Sequence, residues 1–152
     1  MAINEVIDRD RGYNALLAGI GSLAGEPAVL VGVRQGAGEV DGTDLVLIAS
    51  ANEFGTSDGR VPERSFIRST VDENRTKYVK DLTKVVTDAI DGKRIPKKSL
   101  ERVGARATAD IQRKIVALKE PANASSTIRQ KKSSNPLVDT GRLLQSIDWE
   151  VR

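Results

Sequence analysis

Two amphipathic runs separated by a Gly/Pro turn leave this chain few folds to choose from. Thr70-Val71-Asp72-Glu73 has the form of a capping box, and Ser69 offers a second hydroxyl. Behind it Tyr78, Val79, Leu82, Val85, Val86, Ala89 and Ile90 recur at helical spacing until Gly92 stops the run. Ile95-Pro96 opens a second run, with Leu100, Val103, Ala107, Ile111, Ile115 and Leu118 on one stripe before Pro121. Helices of roughly twenty residues joined by so short a turn should pack as an antiparallel hairpin.

The remaining segments supply a small sheet and its connections. Tyr13, Leu16, Leu17, Ile20 and Leu23 predict a short helix over 9–24, weakened by Gly12, Gly19 and Gly21. Pro27 ends it, and residues 28–33 form a β-branched run that reads as a buried strand. Residues 35–42 hold three glycines and suit a mobile loop or hairpin. Gly19-Ile20-Gly21 has a helix before it and a strand after it, the reverse of a dinucleotide cradle, and Gly36-Ala37-Gly38 lacks the third glycine because position 41 is Asp. Thr43 can cap a helix over 44–54, although a strand at 45–49 also fits the pattern. Residues 122–135, rich in Ser, Asn and Lys, read as an extended arm. Asp139 or Thr140 can cap a last short helix through Ile147. Asp148-Trp149-Glu150-Val151-Arg152 then alternates like a strand. We expect that strand to pair with 28–33, with Trp149 against the hairpin near Val85 or Ile111. The class is α+β: one domain over 1–152, a small sheet packed on a long helical hairpin.

The link between sheet and hairpin holds two of the five aromatic residues, Phe54 and Phe66. In a chain with 3% aromatics each Phe should be placed where its burial stabilises most, roughly 1.5–3 kcal/mol. Gly55 after Phe54 is a helix stop, and Pro62 fixes the backbone before an extended segment over 65–67. Glu53, Arg64 and Arg68 surround the two rings with charge, and the carboxylates of Glu53 and Glu63 have salt bridges to Arg as their plainest role.

Composition narrows the chemistry. With no Cys and no His, thiol and imidazole catalysis, disulfides and the commonest zinc ligands are all unavailable. A magnesium site built from Glu53, Asp58 and Glu63 is conceivable, but no spacing demands it. We expect no enzyme, no cofactor and no metal. Residues 1–8 lack a signal-peptide run, and the longest stretches free of polar side chains, 15–21 and 27–33, are too short for a membrane span. Net charge is +3, but residues 1–75 carry 7 Lys/Arg against 12 Asp/Glu (−5) and residues 76–152 carry 17 against 9 (+8). Such halves either complement each other between neighbouring copies or simply carry solvated charge.

Asn52-Glu53-Phe54-Gly55-Thr56, followed by Val61-Pro62-Glu63-Arg64-Ser65-Phe66-Ile67-Arg68, makes a first motif, and a second lies far downstream: Pro136-Leu137-Val138-Asp139-Thr140-Gly141-Arg142-Leu143-Leu144-Gln145-Ser146-Ile147. Thr127-Ile128-Arg129-Gln130-Lys131-Lys132 precedes the second motif. In this order the motifs resemble the neck and tail-completion proteins of long-tailed bacteriophages, of the Mu-like type. The resemblance implies a structural virion protein, made in the host cytoplasm and placed in the neck. It implies a homo-oligomeric ring, of six copies first and twelve next, between the head connector and the tail tube or its terminator. Its contact with packaged DNA would be incidental. Glu53, Phe54, Gly55, Pro62, Arg64, Phe66, Arg68, Asp139, Thr140, Gly141, Arg142 and Trp149 become structural or subunit-interface residues on this reading. Taken alone, Asp139 to Arg142 are either a helix cap with a solvated Arg or a docking element for an adjacent subunit. The alternative from another class is a non-specific DNA-binding accessory protein. Lys93-Arg94, Lys97-Lys98 and residues 129–132 would supply phosphate contacts, without interleaved aromatics for stacking.

Overall fold

The structure is a computed structural model and describes residues 12–21, 24–25, 27–91, 97–131 and 135–152. Its elements in chain order are α1 (Tyr13–Gly21), β1 (Val29–Val33), β2 (Glu39–Val40), β3 (Thr43–Asp44), α2 (Leu45–Phe54), α3 (Arg68–Ile90), α4 (Lys97–Ala117), α5 (Ser125–Lys131), α6 (Arg142–Gln145) and β4 (Ile147–Val151). The α+β class expected from the sequence is the class observed.

Helices α3 and α4 form the hairpin, and polar links between them fix its sense. Tyr78 Oη donates to Asp110 Oδ2 at 2.8 Å, Arg106 pairs with Asp81, and Lys114 pairs with Glu73. Partners advance along α3 as they retreat along α4, so the helices are antiparallel. The α4 stripe buries Leu100, Val103, Ala107, Ile111 and Ile115, as its spacing predicts. The α3 stripe divides: Tyr78, Val85 and Ala89 are buried, whereas Val79, Leu82, Val86 and Ile90 are exposed. One facing helix covers only part of so broad an apolar arc. Helix α3 also begins at Arg68, before the expected box, and the Ser69 and Thr70 hydroxyls donate backwards to the Ser65 and Phe66 carbonyls at 2.6 Å. The expected stop at Gly92 and start at Ile95-Pro96 lie outside the described residues.

The sheet is the one the alternating C-terminus predicts. β1 and β4 pair antiparallel, with Val31 opposite Trp149 and Gly32 opposite Asp148. Strand β1 is half-buried rather than fully buried, and its Leu30 is exposed. Trp149 packs on α4 at Gly104, where a Cβ would lie 2.9 Å from the indole. A second, short ladder joins β2 to β3 across Asp41-Gly42, both at positive φ (50° and 76°), as a primed hairpin turn requires. Asp44 caps α2, not Thr43: its Oδ1 accepts from Val46 N at 2.6 Å, and the strand alternative for 45–49 is excluded. The stretch 122–135 is not a plain extended arm, because α5 occupies its centre. It holds no Gly or Pro, and its Ile128 is half-buried. The core gathers Leu45 and Ala49 of α2, Phe66, Ile111 and Ile115, with Leu137, Leu143 and Ile147 from the C-terminal segment.

Candidate functional site

Both motif stretches meet around α2. Leu45, Ala49 and Glu53 are its buried positions, four residues apart on one face. Phe54 follows Glu53 by about 100° round the helix, so its ring points away and is 68% exposed. The expectation that both Phe side chains anchor the core is therefore corrected: Phe66 is 0% exposed, and Phe54 is a surface ring.

Gly55 ends α2 at φ 74°, and a Cβ there would sit 3.0 Å from Glu63 N and 3.2 Å from Val61 O. A positive φ with an extended ψ of 175° and a close backbone approach both require glycine here. The chain then folds back through Pro62, with Thr56 N donating to Val61 O at 2.9 Å and Arg64 N to Asn52 O at 2.6 Å. At the tip Asp58 accepts from Thr56 Oγ1 and Arg60 N, which hold its carboxyl below the usual range.

The return of the loop delivers the start of α3 onto Glu53. Its Oε2 accepts from Phe66 N at 2.8 Å and Ile67 N at 2.9 Å, and its Oε1 from Arg68 N at 2.9 Å and Ser65 Oγ at 2.8 Å. Residues 65–67 accordingly bend into the helix instead of running extended. A carboxylate at a helix N-terminus satisfies the orphan amides and complements the dipole. Here it comes from the previous helix rather than from a local box. Burial pushes the Glu53 carboxyl up, but the Ile67, Arg68, Ser65 and Phe66 donors together outweigh burial and hold it below its usual value.

Arg64 is the second buried charge, 4% exposed. Nε donates to Pro121 O at 2.7 Å, Nη1 to Asn52 Oδ1 at 3.2 Å, and Nη2 to Ala122 O and Asn123 Oδ1 at 3.1 Å. The guanidinium thus ties the loop to the segment that follows α4, and burial lowers its pKa. Glu63, its sequence neighbour, pairs with Arg68 instead.

The second motif closes a cleft of about 280 Å³, with Leu45, Ile48 and Asn52 on one wall and Leu137, Asp139 and Arg142 on the other. Gly141, at φ 78°, precedes α6, and neither Asp139 nor Thr140 caps it. Both are exposed at the rim. Arg142 donates through Nη1 to the Glu39 carbonyl of β2, so it serves its own chain. Asn52 belongs to both halves: it lines this cleft and accepts from Arg64. Its part was not readable in advance, nor was that of Asp110, whose signal is only an acid on an apolar stripe. Gly104 did carry a signal, since glycine in a long helix marks a close approach.

The three acids of the conceivable magnesium site, Glu53, Asp58 and Glu63, each face different partners. Among the described residues no group of three or more potential metal ligands is brought together. The cleft has apolar walls with the Asp139 carboxylate and the Thr140 hydroxyl at its rim. Compared with models of protein families, with curated proteins and with solved structures, the chain shows no significant match.

Proposed function

We propose that this chain is a structural subunit of a phage neck, working as a homo-oligomeric ring that joins the head connector to the tail and keeps the DNA channel continuous. One observation carries the reading. The most distinctive motif residues, Glu53 and Arg64, are buried and spend their hydrogen-bonding capacity on backbone and side chains of their own chain. They hold a scaffold together and are not turned towards a substrate. What the scaffold then presents is apolar: Phe54, Leu47, Val79, Val86 and Ile90 all stand exposed. Such surface is the kind that neighbouring subunits cover.

Negative-stain imaging of the purified protein, alone and mixed with a head-connector and a tail-tube protein of the same particle, tests it. Closed rings that bridge the two support the reading. A protein that stays apart from both and binds duplex DNA with a steep salt dependence replaces it with the DNA-binding alternative.

A further inference from the structure

The β1–β4 ribbon has one closed edge and one open edge. Ala28 and Arg152 exchange both backbone hydrogen bonds at 3.0 Å, so with this register the bonded pairs are Ala28:Arg152, Leu30:Glu150 and Gly32:Asp148. The backbone groups of Ile147, Trp149 and Val151 therefore face outwards from β4, and those of Val29, Val31 and Val33 face outwards from β1. The outer edge of β4 is blocked at its centre. Trp149 O accepts from Arg34 Nη2 at 2.9 Å, Trp149 N donates to Asp148 Oδ1 at 2.8 Å, and Arg34 is ion-paired to Asp148. Among the described residues no hydrogen bond reaches the outward groups of Val29, Val31 or Val33. Beside Val33 lies an open apolar groove of about 310 Å³, walled also by Val46, Ala49 and Phe54. β1 has no charge, no proline and no bulge, the usual guards of a strand edge.

We propose that β1 pairs with β1 of a second copy, antiparallel about a two-fold axis through Val31, making a four-stranded sheet in the free protein. The outward residues are spaced symmetrically about Val31, so Val29 meets the partner's Val33 and Val31 meets the partner's Val31. Each of these pairs exchanges both backbone hydrogen bonds. On the solvent face Leu30, 44% exposed, falls opposite the partner's Gly32. At Gly32 a Cβ would meet nothing within 4 Å, which leaves room for that leucine. The strand places no like charges across the dyad, so nothing electrostatic opposes the pairing. Adjacent subunits of a closed ring with more than two copies are related by less than a half turn, so a two-fold pairing cannot be the contact between ring neighbours. The pairing is thus separate from the ring contact and does not depend on it.

Register-specific cross-linking tests it, and the absence of native cysteine makes the readout clean. Leu30→Cys and Gly32→Cys proteins are prepared separately, then oxidised alone and as an equal mixture. Opposite residues in a non-bonded antiparallel pair stand about 4.5 Å apart at Cα, within disulfide range. The mixture should form covalent dimer in several-fold higher yield than either protein alone. Wild type not assembled into rings should sediment as a dimer, and Leu30→Lys, which has Glu150 opposite it within its own chain, should keep the fold and weaken the dimer at least tenfold, on the order of one buried leucine. Equal yields in all three oxidations, self-linking by Leu30→Cys alone, or a monomer in sedimentation would each overturn the pairing. Larger closed rings without the mixed cross-link would also overturn it, while leaving the ring reading standing.

Discussion

Glu53 shows how one side chain can set the geometry of a whole connection. Its carboxylate accepts from three consecutive backbone amides, a task an uncharged amide at the same position does poorly. Glu53→Gln should cost about 2 kcal/mol at neutral pH, read from denaturant midpoints. The pH dependence has a definite sign. The folded carboxyl lies below its ordinary value of 4.5, so its stabilisation is complete above that value and disappears as the pH falls through the lower folded value. The gap between wild type and Glu53→Gln should therefore be widest above pH 4.5 and close on acidification. A gap that stays constant into acid would remove the charge from the explanation. The two Phe rings give a paired comparison. Phe66→Ala, with 0% exposure, should cost roughly 3–5 kcal/mol, while Phe54→Ala at 68% exposure should stay within about 0.5. Comparable losses at both sites would mean that Phe54 is covered in the free subunit.

Among the elements, β4 and α4 depend on each other through the Trp149–Gly104 contact. Gly104→Ala gains about 1 kcal/mol of helix propensity but drives a methyl into an indole 2.9 Å away. Overpacking of this kind costs roughly 1–3 kcal/mol, and three Trp149 side-chain atoms at 2.9–3.0 Å place it in the upper part of that range, so the net effect is a loss. In a Trp149→Ala background the obstacle is gone, and Gly104→Ala should stabilise by about 1 kcal/mol. A sign that fails to reverse between the two backgrounds would place Trp149 elsewhere. This contact also marks how far the sequence can be read. The period of Leu100, Val103, Ala107, Ile111 and Ile115 and the alternation of Ile147, Trp149 and Val151 are local signals, and both sets lie in the elements those signals predict. Even the pairing of β4 with β1 followed, because an alternating terminus needs a sheet edge. The cap of α3 was not legible, since its acceptor lies on another helix and the local Thr-Val-Asp-Glu box is a plausible competitor. Nor was the exposure of Phe54: rarity argues for burial, but the phase of α2 is set by Leu45, Ala49 and Glu53. Helix α5 was hidden by composition, because a polar stretch without Gly or Pro carries little pattern of either kind.

At the level of the whole molecule the question is what covers α1 and α3, which pack together. Tyr13, Leu17 and Ile20 on α1 and Val79, Val86 and Ile90 on α3 are between 41% and 66% exposed. Large apolar side chains at such exposure cost solubility and add nothing to a subunit that works alone. Ion pairs do not compensate for them. Lys114–Glu73 and Arg106–Asp81 link the hairpin at partly exposed positions, where such pairs contribute about 0–1 kcal/mol each. In the proposed ring these apolar residues are covered by the neighbouring subunit. A double substitution, Val79→Glu with Val86→Glu, should then leave the melting transition of the free subunit within a few degrees of wild type and abolish rings in micrographs. The mixed disulfide between positions 30 and 32 should still form, because it tests a different face. Raising salt from about 0.1 to 0.5 M should leave wild-type rings intact, since burial of apolar surface is not screened, whereas contacts to DNA phosphates weaken by orders of magnitude over that range. Rings that survive the double substitution, or that fall apart in salt, would show that their contacts are polar and that this apolar face serves another partner.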